Sequence, residues 1–167
     1  MRVTPLEEEF KRSRRWVLEA LKAASKGLSD LLGGEYLGMI LFGSWARGDA
    51  GGGSDVDVFV LLRSTGGLAV RSEIYDVLSR RLRRAVTLVD MRLNEIQGED
   101  LELNPLLINL IADGVIIEDG QGILEAFIEE GRRLIEEMKL IRYKTPDGKY
   151  GWMRRDMKPI TQLGSEV

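Results

Sequence analysis

The residues best suited to chemistry are two aspartates, Asp55 and Asp57, which begin an apolar run in the first half of the chain. Because successive side chains of a strand point to opposite faces, these two carboxylates share a face and lie about 7 Å apart at their backbones. Two like charges at this separation raise each other's pKa unless a cation lies between them. Carboxylate oxygens favour Mg²⁺, which completes its shell with water and substrate phosphates. The alternative is a strand edge facing solvent, but the apolar residues 58–62 predict a buried strand.

A Gly-Ser pair, Gly43 and Ser44, precedes the aspartates and follows an apolar run that ends at Phe42. Glycine lets the backbone approach a ligand closely, and free amides together with a serine hydroxyl can hold phosphate oxygens. Residues 45–49 have the length of one or two helical turns, and Ser44 is placed to cap them. A helix N-terminus also favours an anion. A strand, a Gly-Ser turn and an Asp-x-Asp in the next strand therefore predict a site for a metal ion and phosphates.

A third acid, Asp90, interrupts the next apolar run, residues 85–93. A single carboxylate in an apolar strand is costly unless it is paired or bound to a metal. Asp90 is therefore the best candidate for a third carboxylate of the site, and a frayed strand end is the alternative. The rival acids lie in a polar run typical of a loop and a helix start. They are Glu95, Glu99, Asp100 and Glu102.

The composition narrows the chemistry further. The 167 residues include no cysteine and no histidine, which excludes thiol catalysis, disulfides and histidine acid–base chemistry. A hydrophobic content of 44% with 31% charged residues is typical of a globular protein, and the length predicts one domain. The net charge of −3 gives no overall attraction to nucleic acid. The chain has neither a long apolar segment nor a signal-peptide core, so we expect a cytoplasmic protein without a membrane partner.

Apolar periodicity divides the chain into helices and strands. The long helix over residues 6–32 carries a basic cluster, residues 11–15, which is typical of a solvated face and could alternatively contact a polyanion. The predicted fold class is α/β (α+β), a small mixed sheet backed by helices, with the active site at one end of the sheet. The predicted helices cover 6–32, 70–84, 105–111 and 121–140, and the predicted strands cover 37–42, 55–62, 85–93 and 115–118.

The C-terminal part has a different character, with an excess of basic residues interleaved with aromatic ones. A strong turn signal at residues 145–148 predicts a hairpin over residues 141–153. We therefore divide the chain into a domain over residues 1–140 and a basic, aromatic tail over residues 141–167. Basic residues between aromatic ones can bind single-stranded RNA. Trp152, a large apolar group, instead favours an arm that packs on a second subunit or a partner.

These motifs resemble the signature of the DNA polymerase beta-like nucleotidyltransferase superfamily. The similarity lies in Gly43 and Ser44, the turn at residues 46–49 and the Ser-Asp-x-Asp of residues 54–57, and it covers roughly residues 37–93. It is closest to the small prokaryotic branch called minimal nucleotidyltransferases, or MNT. Many members of the family have a basic residue at the position of Trp45.

The resemblance implies a reaction and a role for each motif. The reaction is transfer of a nucleotidyl group, in the leading case AMP from ATP, to an acceptor hydroxyl with release of pyrophosphate. Another nucleoside triphosphate remains an alternative donor. The implied roles are metal binding and catalysis by Asp55, Asp57 and Asp90 with two Mg²⁺ ions, and nucleotide binding by Gly43, Ser44 and Arg47.

The MNT branch also implies a partner, because it resembles antitoxins that adenylylate a HEPN-type RNase on tyrosine. A HEPN-type protein is therefore the leading acceptor. Two alternatives stay open: a non-catalytic, antitoxin-like binding module, and a transferase that modifies RNA or a small molecule. The intact acids argue against the first, since a masking protein gains nothing from clustered buried charge. A homo-oligomer is a further open expectation.

Overall fold

The computed structural model describes residues 3–99 and 101–160. The helices are α1 (Pro5–Leu32), α2 (Gly43–Arg47), α3 (Leu68–Leu82), α4 (Leu93–Gln97), α5 (Pro105–Asp113) and α6 (Ile123–Glu137). The strands are β1 (Tyr36–Phe42), β2 (Val56–Leu62), β3 (Val86–Arg92), β4 (Val115–Asp119), β5 (Leu140–Lys144) and β6 (Tyr150–Arg154). Each helix and strand predicted above is present. The structure adds the short helix α4 inside the polar run that follows β3.

Strands β1 to β4 form one mixed sheet in the order β3-β2-β1-β4. Strand β1 runs antiparallel to both β2 and β4, whereas β2 and β3 are parallel. Parallel neighbours need a crossover connection, and α3 supplies it. The predicted fold class, a small mixed sheet backed by helices, is confirmed.

Helices cover both faces of this sheet, and β2 shows how its side chains divide between them. Val58 and Val60 join a core with α1 and α3, while Phe59 and Leu61 join a second core with α4, α5 and α6. This alternation is the period of two expected of a strand buried on both sides. It places Asp57 on the same face as Phe59, toward α5.

Helix α1 begins with a capping box at Thr4. The Glu7 amide donates to Thr4 Oγ1 over 3.2 Å, and the Thr4 amide donates to Glu7 Oε2 over 2.8 Å. Two otherwise unpaired amides are thus satisfied at the start of the helix. Gly33, with φ of 55°, ends α1. The predicted helix over residues 6–32 is confirmed with its ends close to the observed ones.

Strands β5 and β6 form a separate antiparallel hairpin after α6. The turn predicted at residues 145–148 closes it, and the Thr145 amide donates to the Lys149 carbonyl over 2.8 Å. Residues 161–167 of the predicted tail lie outside the described residues. The division of the chain at residue 140 stays a prediction. Among the residues that the structure describes, none of the helices has both the length and the apolarity needed to cross a membrane.

Candidate active site

The two predicted carboxylates lie where β1 ends and β2 begins. Asp57 is the second residue of β2 and pairs with Phe42 of β1 on one side and Thr87 of β3 on the other. Asp55 comes just before the strand and is exposed. The Thr87 hydroxyl donates to Asp55 Oδ2 over 3.2 Å. Two carboxylates and one hydroxyl therefore meet at this end of the sheet.

Gly43, the first residue of α2, lies directly against Asp57. A Cβ atom built on Gly43 would be 1.9 Å from Asp57 Oδ2, and the residue has φ of +72°. Any side chain at this position would therefore collide with the carboxylate and strain the backbone. The sequence analysis expected a phosphate ligand to approach the backbone here, and that expectation stays a prediction; within the chain itself, the Asp57 carboxylate lies against Gly43.

Ser44 does not cap α2, so that part of the prediction is wrong. The N-cap position belongs to Phe42, and no side chain caps the helix. Ser44 is instead the second residue of a helix of only 5 residues, and it is half-buried. Its hydroxyl is thus not committed to capping.

The surroundings of Asp57 disfavour the negative charge of its carboxylate. Burial raises the pKa of the Asp57 carboxyl, the nearby Thr87 hydroxyl lowers it, the Asp55 charge raises it again and Arg47 lowers it. The net pKa lies above the ordinary value, so the ionised form is disfavoured in the protein alone. A divalent cation between the two carboxylates would relieve both the burial and the repulsion. The donor set of hard oxygens fits Mg²⁺.

Arg47, the last residue of α2, is held by two carboxylates. Its Nη1 lies 3.2 Å from Asp113 Oδ2, and its Nε lies 3.3 Å from Asp49 Oδ1. Burial alone would lower the pKa of Arg47, but hydrogen bonds to Asp113 and Asp49 raise it above its ordinary value. The guanidinium also lies 4.6 Å from the centre of the Tyr150 ring. Arg47 is therefore a fixed positive charge near Asp57.

Trp45 is a core residue of this protein. It is buried, with an exposed fraction of 3%. Its ring stacks on Phe10 at 5.8 Å, and the Arg84 guanidinium lies 5.1 Å from it. Arg14 of the basic cluster donates to the Trp45 carbonyl over 3.1 Å. Trp45 thus packs α2 against α1. The prediction that the basic cluster of residues 11–15 is a solvated face does not account for this contact of Arg14.

Asp90 is not part of this site, so the prediction of Asp90 as the third metal ligand is wrong. In the parallel pairing of β2 with β3, Asp90 lies opposite Val60, whereas Thr87 lies opposite Asp57. Asp90 is three residues further along β3, about 10 Å at the rise of a strand, and on the other face of the sheet. Its carboxylate is ion-paired with Arg71 of α3.

The rival acids do not complete the pair either. Within residues 3–99 and 101–160, no three acidic side chains come together in a group that could hold a metal. Glu95 accepts from the Arg92 amide over 2.6 Å at the start of α4. Asp100 lies outside the described residues. On β3 the position beside Asp57 belongs to Thr87, and no local pattern in the sequence shows which β3 residue takes that place.

The C-terminal hairpin packs beside the site. The Tyr150 hydroxyl donates to Asp49 Oδ2 over 3.0 Å, and the Trp152 indole donates to Asn109 Oδ1 of α5 over 2.7 Å. Arg142 lies 2.8 Å from Asp113. No pattern in the sequence predicts these contacts. Trp152, expected to contact a partner, is half-buried within its own chain.

The family described as "Nucleotidyltransferase domain" matches residues 21–135. The chain belongs to this family. The match begins within α1, ends within α6 and contains Gly43, Asp55 and Asp57. The nucleotidyltransferase superfamily predicted from the sequence is thereby confirmed.

One similar protein is named "Putative protein adenylyltransferase MJ0141", from Methanocaldococcus jannaschii (strain ATCC 43067 / DSM 2661 / JAL-1 / JCM 10045 / NBRC 100440). The two are 38% identical over 64 residues, which is 38% of this chain and 65% of the relative. The match therefore spans less than two thirds of the relative's length.

Two similar solved structures are both of toxin–antitoxin systems. One is titled "Crystal structure of the toxin-antitoxin with AMP-PNP" and has a TM-score of 0.51 at 21% identity, over 71% of this chain and 89% of that chain. The other, of the "toxin-antitoxin MntA-HpeT mutant-D39ED41E", has a TM-score of 0.51 at 19% identity over the same shares. At these identities the likeness shows the fold.

Proposed function

We propose that this nucleotidyltransferase-family protein transfers AMP from Mg²⁺-bound ATP to a hydroxyl group of a protein partner. The observation that supports the proposal is the carboxylate pair at the N-terminal end of β2. Asp57 is half-buried against the bare backbone of Gly43, with Asp55 beside it, and the pKa of its carboxyl is raised. A disfavoured negative charge beside a second carboxylate is what a divalent cation stabilises.

The proposal assigns a role to each residue of the site. Asp55 and Asp57 would hold the two Mg²⁺ ions that the family resemblance implies, and Gly43 and Ser44 would bind the β- and γ-phosphates. Bound Mg²⁺ neutralises the triphosphate charge and stabilises the attacking and leaving oxygens. Arg47 adds a fixed positive charge. The acceptor oxygen attacks the α-phosphorus, the bond between that phosphorus and the leaving pyrophosphate oxygen breaks, and the acceptor proton passes to water.

Positioning and charge carry this chemistry, which is why the lack of histidine and cysteine is no obstacle. With Asp90 on the other face of the sheet, we assign it neither metal binding nor proton transfer. The described residues place no third carboxylate beside the pair. In this proposal the chain contributes two carboxylates, the Thr87 hydroxyl and Arg47, in addition to the phosphate-binding residues Gly43 and Ser44.

A protein acceptor is supported by the name of the Methanocaldococcus jannaschii relative, which is that of a protein adenylyltransferase. The fold is also that of chains from toxin–antitoxin systems, one of them with AMP-PNP. We therefore propose a cytoplasmic HEPN-type partner with a target tyrosine. The second candidate is an antitoxin-like binding module that acts by association alone. An RNA or small-molecule acceptor and a homo-oligomer remain alternatives that the experiment below addresses.

The test uses ATP labelled either at the α- or at the γ-phosphate, with Mg²⁺ and a HEPN-type protein or host lysate as the source of the acceptor. We expect label from α-labelled ATP on the partner, no label from γ-labelled ATP, and none with the double variant Asp55→Asn/Asp57→Asn. Protease-sensitive label indicates a protein acceptor, and nuclease-sensitive label indicates RNA. Stable association with the partner without any label would favour the binding module, and sizing of the isolated chain reports the homo-oligomer.

A further inference from the structure

We propose that the C-terminal hairpin positions Arg47 in the nucleotide site, with Asp113, Arg142 and Tyr150 as the positioning residues. The catalytic meaning of this inference rests on the proposed function. The family match ends at residue 135, before β5 begins. The hairpin is thus a part of this chain that the family description does not cover, and yet it reaches a residue of the Gly-Ser segment.

Asp113, at the end of α5, is the centre of the arrangement. Its side chain is only 7% exposed, and one oxygen, Oδ2, lies 3.2 Å from Arg47 Nη1 and 2.8 Å from Arg142 Nη2. A buried carboxylate shared by two guanidinium groups fixes the position of both, because a displaced arginine would leave charge unpaired away from water. Arg142 of β5 is therefore coupled to Arg47 of α2 through a single atom.

Tyr150 of β6 makes a second, independent connection. Its hydroxyl donates to Asp49 Oδ2, and Asp49 is the other carboxylate that holds Arg47. Its ring lies 4.6 Å from the Arg47 guanidinium and 5.5 Å from that of Arg142. The ring therefore lies against both arginines, where cation–π attraction adds to the ion pairs.

The hairpin is itself anchored, so it can transmit position. The Trp152 indole donates to Asn109 of α5 over 2.7 Å, and the Arg142 guanidinium lies 4.6 Å from the Trp152 ring. Both strands are thus fastened to the helix that ends at Asp113. Arg47 in turn is the last residue of α2, the helix whose first residue, Gly43, lies directly against Asp57. Direct contacts therefore connect the hairpin to Arg47, and the short helix α2 connects Arg47 to the carboxylate pair.

This arrangement changes the expected role of the tail. A free docking arm would leave nucleotide binding unaffected when it is altered. A hairpin that holds Arg47 instead makes the nucleotide site depend on residues about a hundred positions away in sequence, since Tyr150 and Asp49 are 101 residues apart. A ligand or partner that displaced the hairpin would release Arg47 and weaken the site.

The experiment measures the dissociation constant of Mg·ATP, by competition with a fluorescent ATP analogue, and hydrogen exchange of residues 43–50 in the nucleotide-free protein. We expect Arg142→Gln to weaken binding by about three- to thirtyfold and to speed exchange in that segment. Arg142→Lys keeps the charge and should restore most of both. Arg133→Gln is the matched control, because Arg133 pairs with Glu130 and Glu137 on the exposed side of α6 and should change neither.

A double-mutant cycle separates positioning from general destabilisation. If Arg142 acts through Arg47, the change Arg142→Gln should weaken binding by less than about twofold once Arg47→Gln is present. Effects that simply multiply in the double variant, or unchanged binding and exchange in Arg142→Gln, would overturn the inference. If Arg142→Gln does not fold by circular dichroism, Tyr150→Phe, which removes one hydroxyl, takes its place in the cycle.

The two proposals fail in different ways. If the wild-type protein does not bind Mg·ATP while Arg142→Gln still speeds exchange in residues 43–50, the proposed function is wrong and the positioning of Arg47 stands. If the wild type binds Mg·ATP and neither Arg142→Gln nor Tyr150→Phe alters binding or exchange, the positioning is wrong and the proposed function stands.

Discussion

Asp57 and Asp90 are both acids within apolar strands, and their surroundings make them different in kind. Asp57 lies beside Asp55, the Thr87 hydroxyl and the backbone of Gly43, and none of the ion pairs among residues 3–99 and 101–160 involves it. Asp90 is ion-paired with Arg71, whose Nη2 also donates to the Leu88 carbonyl over 2.6 Å. The Asp57 carboxylate can therefore be stabilised by a bound cation, whereas the Asp90 carboxylate is already paired with Arg71.

The comparison shows that an acid in a strand is not by itself a sign of a metal site. A carboxylate that is ion-paired with an arginine of the same chain contributes to the stability of the folded state. A half-buried carboxylate beside another carboxylate costs stability, which is typical of functional sites. The two cases can be separated by asking whether removal of the charge lowers activity or lowers stability.

The largest effect should come from Asp57→Asn. Loss of one charge from the pair should reduce nucleotidyl transfer by about a hundredfold or more, because the metal loses a ligand and its counter-charge. Stability should stay equal or rise at neutral pH, since burial raises the pKa of Asp57 and its ionised form is disfavoured in the fold. Urea unfolding and transfer to the partner would measure both. A clear loss of stability would show that Asp57 is paired in the way that Asp90 is.

Gly43→Ala should produce the next largest effect. The new methyl group would lie 1.9 Å from the present position of Asp57 Oδ2, so the carboxylate must move, and the φ of +72° adds strain. We expect destabilisation by about 1–3 kcal/mol together with a large loss of Mg·ATP binding.

Gly48→Ala is the control for this substitution. Gly48 also has a positive φ, +94°, but a Cβ atom there would meet nothing within 4 Å. It should show only the backbone strain, about 1 kcal/mol, with binding retained. Equal losses of binding in the two variants would contradict the view that Gly43 is required by Asp57.

Asp90→Asn should reverse the pattern seen at Asp57. Removal of the partner of Arg71 should destabilise the fold by about 1 kcal/mol, the scale of a partly exposed ion pair. Transfer should change by less than about twofold, because the residue lies on the other face of the sheet. Arg71→Gln should give a similar loss of stability, and the double variant should lose little more. A selective loss of activity in Asp90→Asn would restore it to the site.

The smallest effect concerns Glu35, an acid satisfied by backbone amides at the other end of β1. Hydrogen bonds from the Thr65 and Ser64 amides lower the pKa of the Glu35 carboxyl. Its contribution to stability is therefore present above the pKa of the unfolded chain and is lost as the pH falls through the lower, folded value. Glu35→Gln should lower the Tm slightly at pH 7, and the difference should vanish in acid.

Glu19→Gln, on the exposed side of α1, provides the control for that pH series, and we expect little change in Tm at any pH. A difference between wild type and Glu35→Gln that grew toward acid pH would contradict the sign of the shift. It would also place Glu35 with Asp57, as a carboxylate that the fold disfavours.

The local sequence determined much of this protein. The period of two places Asp55 and Asp57 together, the strand–Gly-Ser–strand order locates the turn, and the capping box and Gly33 define α1. These features depend on neighbours within a few positions along the chain, where backbone geometry alone decides the outcome. The fold class and the family followed from them.

The tertiary structure decided which distant residues meet. Parallel strands β2 and β3 are joined through α3, so their register is set by packing and no local pattern reveals it. That register places Thr87 beside Asp57, and it places Asp90 where it forms an ion pair with Arg71. Long-range ion pairing likewise joins Arg47 to Asp113 and the hairpin. Such contacts depend on the free energy of the entire folded protein, because each forms only after the helices and strands that carry its residues have been brought together.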